Sequence, residues 1–233
     1  MLSTDEFVEW SKKVVLFLHN TSRVDDEPYP DLLREKGANG FPTVSYLDAD
    51  GNLLKQVGHF TPVDQLEEVF AELQRWKALR AEVEKGGAGA AKEKELFFLE
   101  LDMGNRPWEE MRRRAQALSI SSEESKDVAR KLVNLHFVEI LRRKGRDLAG
   151  AGAELLPMFQ AGEIPDSSQE TTFWQALFEH AYAAKNSALY KQVLAVLKVR
   201  KAGDPRLDRY LGMVEKRLEE LDEQARQKDG GGK

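Results

Sequence analysis

The spacing of apolar residues divides the sequence into two parts. In the first part, the unbroken apolar run Val14–Leu18 is typical of a strand that is covered on both faces. Thr43–Leu47 alternates between polar and apolar residues, and the dipeptide Asp50-Gly51 predicts a tight turn into a second strand over Leu53–Phe60. These three segments predict a small mixed sheet.

Three helices are predicted around this sheet. The first covers Leu2–Trp10, with Ser3 as its N-cap, and the second is a short helix over Asp31–Lys36. The third begins after the N-cap Thr61, and its apolar residues return at helical spacing. The predicted order is helix, strand, helix, strand, strand, helix, so residues 1–86 are expected to form an α/β domain.

The remainder of the sequence predicts helices alone. A segment rich in Gly and Ala places the domain boundary near Gly87, and residues 87–226 are expected to form a helical bundle with weak tetratricopeptide-like character. Ser121 with Glu124 forms a capping box. The final residues, 227–233, are predicted to be a disordered tail. The predicted helices are Lys92–Met103, Pro107–Leu118, Glu123–Lys144, Ala151–Gln160, Gln169–Lys185, Ala188–Lys201 and Pro205–Arg226.

Composition narrows the range of partners and chemistries. The formal net charge is −5, so neither a nucleic acid nor an anionic membrane is expected as a partner. The basic clusters Arg112–Arg114 and Arg142–Arg146 are interpreted as solvated helix faces. The sequence contains no cysteine, which excludes thiol chemistry and disulfides within it. It begins without a basic or apolar leader, so we expect no export signal and, by default, a cytoplasmic location.

The stretch GFPTVSYLDADGNLL resembles a defined part of thioredoxin-like proteins. In that family a cis-proline loop opens a strand, and a hairpin partner and the last helix follow; Gly40, Phe41, Pro42 and Thr43 match the loop. The resemblance covers residues of about 3 to 80, which correspond to the C-terminal two-thirds of the domain. It implies that the CxxC motif of the family has no counterpart here.

Two alignments with the thioredoxin-like fold remain open. In the first, Val14–Leu18 is the strand that follows the catalytic helix, and the central strand is missing. In the second, Val14–Leu18 is itself the central strand, and Asn20–Arg23 takes the place of the redox motif. The first alignment leaves a gap between Val14–Leu18 and Thr43–Leu47, so these strands must pair directly, swap with another copy, or receive a strand from elsewhere. Exposed strand edges favour association unless they are covered.

Two groups of residues are candidates for binding. The cis-proline loop, residues 40–43, is expected to dock an extended peptide beside the sheet edge. His19, Asn20, Thr21 and Ser22 end the first predicted strand, where open α/β sheets place their ligands. No acidic residue is placed to orient a base beside Thr21 or Ser22, so hydrolysis is not expected. The four histidines lack the spacing of a helical metal site, and neither a metal nor a cofactor is expected: His19, His59, His136 and His180.

Two functions follow from these observations. The first is a non-catalytic, thioredoxin-like binding or scaffold protein that docks a protein or peptide through the cis-proline loop and the sheet edge, with homo-oligomers possible through the same edge. The alternative is a thiol-disulfide oxidoreductase whose CxxC segment lies upstream of these residues. Thiol-disulfide exchange needs an attacking thiolate, which this sequence cannot supply.

Overall fold

A computed structural model shows a mostly helical protein with one small antiparallel sheet. It describes residues 3–19, 29, 32–36, 43–57, 61–166, 169–200 and 207–230. The chain forms two compact units, Met1–Val128 and Ala129–Lys233. Gly87, near which the sequence predicts a domain boundary, lies in the turn between two helices of the first unit.

The first unit contains the strands and the N-terminal helices. Its elements are α1 (Asp5–Ser11), α2 (Leu32–Glu35), β1 (Val44–Leu47), β2 (Leu53–Val57), α3 (Val63–Glu84), α4 (Gly89–Met103) and α5 (Trp108–Ala117). The division between the units falls within α6 (Ser122–Lys144). The second unit continues with α7 (Leu148–Gln160), α8 (Glu170–Ala183), α9 (Ser187–Arg200) and α10 (Leu207–Gly230).

Helix α1 is capped by Thr4, one residue after the predicted cap Ser3. The Thr4 side chain accepts a hydrogen bond of 3.3 Å from the backbone N–H of Phe7, which satisfies one of the unpaired donors of the first turn. Phe7 and Trp10 lie three residues apart and are both buried. They give α1 a single apolar face, which packs in the core of the first unit.

The hairpin of β1 and β2 has the predicted position. The two strands are antiparallel, with Val44 opposite Val57, and the turn between them contains Gly51 at a φ of 78°. The side chain of Asp48 tightens the turn, since it accepts the backbone N–H groups of Asp50 at 3.0 Å and of Asn52 at 2.8 Å. The sheet of the described residues is purely antiparallel, so the prediction of a mixed sheet is wrong there.

The predicted strand over Val14–Leu18 is also wrong. The structure gives residues 15–18 no regular secondary structure, and three of their side chains are far from buried: Val15 is 97% exposed, Phe17 63% and Leu18 86%. A strand needs a hydrogen-bonded neighbour, and the sheet of the described residues contains only β1 and β2. The apolar run therefore lies outside the core that its composition predicts.

Helix α3 covers one face of the hairpin. Its buried side chains follow a helical period and include Leu66, Leu73 and Trp76. The hydroxyl of Tyr46 on β1 donates a 2.8 Å hydrogen bond to the carbonyl oxygen of Leu66, so the strand and the helix are joined within the core. The N-cap of α3 is Pro62, without a side-chain cap, rather than the predicted Thr61.

The second unit is built on closely packed helices. Helices α7 and α8 approach each other so closely that an added Cβ on Gly152 would overlap the carbonyl oxygen of Ala176. Aromatic side chains of α8 fill the centre, including Phe173 and Trp174. Helix α10 runs through Gly230, into the segment for which a disordered tail is predicted.

One predicted cap is confirmed at the start of α6. The backbone N–H of Glu124 donates to the Ser121 hydroxyl at 3.3 Å, and the Glu124 carboxylate accepts the Ser121 N–H at 2.8 Å. These reciprocal bonds form the capping box that the sequence indicates.

None of the helices in the described part of the chain combines the length and apolar character that crossing a bilayer requires.

Candidate functional site

The candidate site begins with four consecutive apolar residues, Val15–Leu18, which we call the apolar segment. The turn after α1 leads into it through backbone hydrogen bonds from Lys13 N to Trp10 O at 3.0 Å and from Val14 N to Ser11 O at 3.3 Å. Val14 still packs on the core of the first unit, whereas the next four residues are all exposed, Leu16 by 58%. The apolar segment is therefore anchored at its base and open along its length.

A salt bridge fixes the base of the apolar segment to α3. Lys13 Nζ lies 2.8 Å from each carboxylate oxygen of Glu67. Both side chains are nearly half exposed, so the pair contributes little stability. The position of the pair is more important than its energy. Glu67 follows Leu66 in α3, and the carbonyl oxygen of Leu66 accepts the hydrogen bond from the Tyr46 hydroxyl. Consecutive residues of α3 thus hold the base of the apolar segment and the centre of β1.

Trp10, near the end of α1, packs against Tyr46 at the centre of β1. Its ring meets Tyr46 edge-on at a centroid distance of 6.4 Å and lies 5.7 Å from Phe7. The side chain is 7% exposed, and its indole N–H is buried without a hydrogen-bond acceptor. A buried donor without an acceptor is destabilising, so apolar and aromatic contacts hold Trp10 in place.

Strand β1 provides the second part of the site. One edge of β1 pairs with β2, and the described residues add no further strand at the opposite edge, which we call the outer edge. The register shift of the hairpin puts an extra residue, Leu54, on β2, so β1 itself runs without an insertion. Leu47 at the end of β1 is 37% exposed. Strands of this kind can accept another extended segment.

The Tyr46 hydroxyl stays protonated in this environment. Burial, with a smaller contribution from the nearby negative charge of Glu67, raises the pKa of Tyr46 to about 12. The neutral phenol is the form that donates to Leu66 O. The inner face of β1 is thus held by an uncharged hydrogen bond over the whole neutral pH range.

The predicted binding residues lie only in part among the described residues. Thr43 is half-buried and immediately precedes β1, while Gly40, Phe41 and Pro42 lie outside the described residues. His19 follows the apolar segment; its Nε2 lies 3.0 Å from the carbonyl oxygen of Tyr29, and its ring stacks on Phe17 with 6.5 Å between the ring centroids. Asn20, Thr21 and Ser22 also lie outside the described residues.

One polar cluster was not predicted from the sequence. Glu100 on α4 is 1% exposed and accepts hydrogen bonds from Trp76 Nε1 at 3.2 Å, from Arg106 Nε at 3.0 Å and from Arg114. Burial favours the neutral acid, but the hydrogen bonds and charge of Arg114, helped by Trp76 and Arg106, outweigh it and lower the pKa of Glu100. The cluster joins α3, α4 and α5 and is structural, since every oxygen of the carboxylate has a partner within the fold.

The described residues contain no group of three or more His, Asp or Glu side chains that could hold a metal ion. Comparison with protein-family models, with curated proteins and with solved structures finds no match. The thioredoxin-like resemblance therefore stays a prediction from the sequence. The function must be argued from the apolar segment and β1.

Proposed function

We propose that this protein is a non-catalytic binding module that docks an extended segment of a protein chain. The apolar segment and the outer edge of β1 form the docking site. The observation that supports this most is the exposure of four consecutive large apolar side chains, between 58% and 97%. Single exposed apolar residues are ordinary, whereas contiguous ones mark interaction surfaces.

The energy for docking comes from apolar burial. Complete burial of a Val, Leu or Phe side chain contributes about 1.5–3 kcal/mol relative to its exposed state. Part of this gain is offset by the ordering of the incoming segment and by lost translational and rotational freedom. Because α1 and the Lys13–Glu67 pair already fix its base, the apolar segment loses less freedom on binding than an unanchored chain would.

Strand β1 sets the direction and the register of the docked segment. Its backbone can pair with an incoming strand, and alternate side chains of that strand would then face the core side and the solvent side. The resemblance to thioredoxin-like proteins implies that the cis-proline loop, Gly40, Phe41, Pro42 and Thr43, belongs to the same docking site. The partner expected from this chemistry is an extended segment rich in branched and aromatic residues.

A peptide selection tests the proposal. A displayed library of short extended peptides is selected on the full chain, and the affinity of the tightest peptides is measured for the wild type, for Leu16→Asp and for Val199→Asp. Val199 on α9 is 82% exposed and serves as the matched control, because its substitution removes exposed apolar surface away from the site. We expect Leu16→Asp to weaken binding about tenfold or more, equivalent to about 1.4 kcal/mol, and Val199→Asp to leave it unchanged. Equal binding by both variants would exclude the apolar segment as the docking site.

The oxidoreductase alternative requires a CxxC segment that lies outside this sequence. The 233 residues contain no cysteine, so every thiol step would need a CxxC segment that they do not include. Reduction of insulin disulfides by a form extended upstream, and not by the present chain, would establish that alternative.

A further inference from the structure

We infer that the strand which docks on β1 is the apolar segment of a second copy of this chain. The inference rests on the proposed function and names its partner. Each copy carries both halves of the contact: an exposed run of four apolar residues and a four-residue strand with an outer edge. Two copies can therefore satisfy each other reciprocally, which is the requirement for a two-fold symmetric interface.

The composition of the apolar segment suits it to become a strand. Val, Leu and Phe are favoured in strands that are covered by other side chains. The segment has no regular secondary structure of its own after the turn that ends α1, so no helix has to unfold before it pairs. Pairing would give its backbone the hydrogen-bonded neighbour that the described part of a single copy does not supply.

Charge favours an antiparallel arrangement of the two strands. Lys12 and Lys13, which pair with Glu9 and Glu67 of their own copy at partly exposed positions, precede the apolar segment, and Asp48 and Asp50 follow β1. An antiparallel pair brings these ends together, so that lysines lie beside aspartates, whereas a parallel pair would place the lysines beside the beginning of β1. Such exposed charges add little affinity but select the orientation.

The pattern of side chains fixes the register within that orientation. Opposite residues of an antiparallel pair share one face of the sheet. Val44 and Tyr46 face the core of the first unit. Placing Leu18 opposite Val44 sets Leu16 opposite Tyr46, and the two leucines would then extend the apolar face that α3 covers.

The same register defines the outer face of the contact. It places Phe17 opposite Ser45 and Val15 opposite Leu47. In antiparallel pairs, opposite Cα atoms lie about 4.5–5.5 Å apart, within the range of about 4.4–6.8 Å that a disulfide spans. A pair of introduced cysteines at positions 17 and 45 would therefore report the register directly, and the cysteine-free sequence gives no competing disulfide.

The experiment mixes two single variants of the full chain, Phe17→Cys and Ser45→Cys, in a glutathione redox buffer. A disulfide between positions 17 and 45 can then form only between copies. The control mixes Val199→Cys with Ser45→Cys, which pairs the same strand with a thiol at a position that is 82% exposed, against 63% for Phe17. We expect the 17–45 disulfide, identified by peptide mass spectrometry, to exceed the 199–45 disulfide by about tenfold or more, because pairing raises the effective concentration of the two thiols. Sedimentation of the wild type should give twice the monomer mass of 26.4 kDa.

Two results would overturn the inference. Equal yields of the two mixed disulfides would show that positions 17 and 45 do not meet between copies. A monomer by sedimentation at all concentrations up to the solubility limit would do the same. If selected peptides still bind the wild type and lose affinity for Leu16→Asp, the docking site stands and only its partner is wrong. If neither peptides nor a second copy bind, the proposed function fails as well.

Discussion

The ring of Trp10 meets the ring of Tyr46 edge-on, with 6.4 Å between their centroids, at the junction of α1 and β1. This contact joins the helix that carries the apolar segment to the strand beside which we place its partner. The indole is 7% exposed and makes no hydrogen bond, so its contribution to stability is packing. The geometry of the candidate site depends on this pair.

Truncation of Trp10 should therefore loosen the first unit. We expect Trp10→Ala to lower the free energy of unfolding by about 3–5 kcal/mol, the usual cost of removing a large buried aromatic side chain. Trp10→Phe should cost clearly less, because it keeps an aromatic ring against Tyr46 and forfeits no hydrogen bond of the indole N–H. Urea unfolding measures both variants, and an equal loss in the two would show that ring packing is not what stabilises the junction.

The hydroxyl of Tyr46 gives a prediction at alkaline pH. The pKa of Tyr46 is raised to about 12 from an ordinary value of 10.0, so its protonated form stabilises the fold. This contribution is complete below pH 10 and is lost as the pH rises through 12. Tyr46→Phe should lower stability at pH 7 by about 1 kcal/mol, the net contribution of one hydrogen bond, and should reduce the alkaline loss.

Tyr190 and Tyr210 in the second unit have similarly raised pKa values, each about 12, so they provide the comparison. The measurement is the free energy of unfolding against pH, together with the ultraviolet absorbance of tyrosinate. If Tyr46→Phe leaves the slope between pH 10 and 12 unchanged, the alkaline loss belongs to the other tyrosines.

The buried carboxylate of Glu100 predicts sensitivity to acid. Its pKa lies below the ordinary value of 4.5, so the ionised form stabilises the fold above that value, and the contribution is lost as the pH falls through the pKa of the folded state. Glu100→Gln leaves Arg106 and Arg114 without their shared carboxylate. Breaking a buried pair costs about 3–5 kcal/mol, and the partial exposure of both arginines places this substitution at the lower end.

Glu84→Gln is the matched control for Glu100→Gln. Glu84 pairs with Arg80 on the exposed face of α3, where an ion pair contributes between about 0 and 1 kcal/mol. We expect urea unfolding to separate the two variants clearly at pH 7 and to bring them together in strong acid. Similar losses at pH 7 would mean that the arginines find other partners.

The close approach of α7 and α8 gives a prediction for the second unit. A Cβ on Gly152 would overlap the backbone oxygen of Ala176 and lie 2.6 Å from His180 Cβ. Gly152→Ala should force the helices apart and destabilise the fold by about 1–3 kcal/mol or more. Gly212→Ala, in α10, meets nothing within 4 Å and should instead stabilise by about 0.5–1 kcal/mol. Thermal unfolding of both variants tests this, and a neutral Gly152→Ala would contradict the tight contact.

The local signals in the sequence predicted the hairpin and one helix cap well. Asp50-Gly51 marks a turn through chemistry confined to a few residues, namely the positive φ of glycine and the side chain of Asp48. Ser121 and Glu124 cap α6 in the same local manner. The cap of α1 was displaced by one residue because Ser3 and Thr4 both carry hydroxyls that can accept the same kind of hydrogen bond.

The features that depend on distant partners were not predicted. Val14–Leu18 has the composition of a buried strand, but composition does not supply the neighbouring strand that would bury it. The sequence pattern does not single out Glu100, because only the approach of Trp76, Arg106 and Arg114 makes the burial of its carboxylate favourable. The candidate site was missed for the same reason: the sequence pattern predicts that the apolar run lies in the core, whereas the structure places it on the surface.

Amide hydrogen exchange tests the docking site most directly. Exchange is followed by mass spectrometry in the full chain, at a dilution at which copies do not associate, with and without a saturating amount of the tightest selected peptide. Docking at the proposed site should slow exchange in both residues 15–18 and residues 43–47, and should leave α9 unchanged, because strand pairing protects backbone N–H groups. Protection confined to the second unit, or slow exchange at residues 43–47 without any change at residues 15–18, would contradict it.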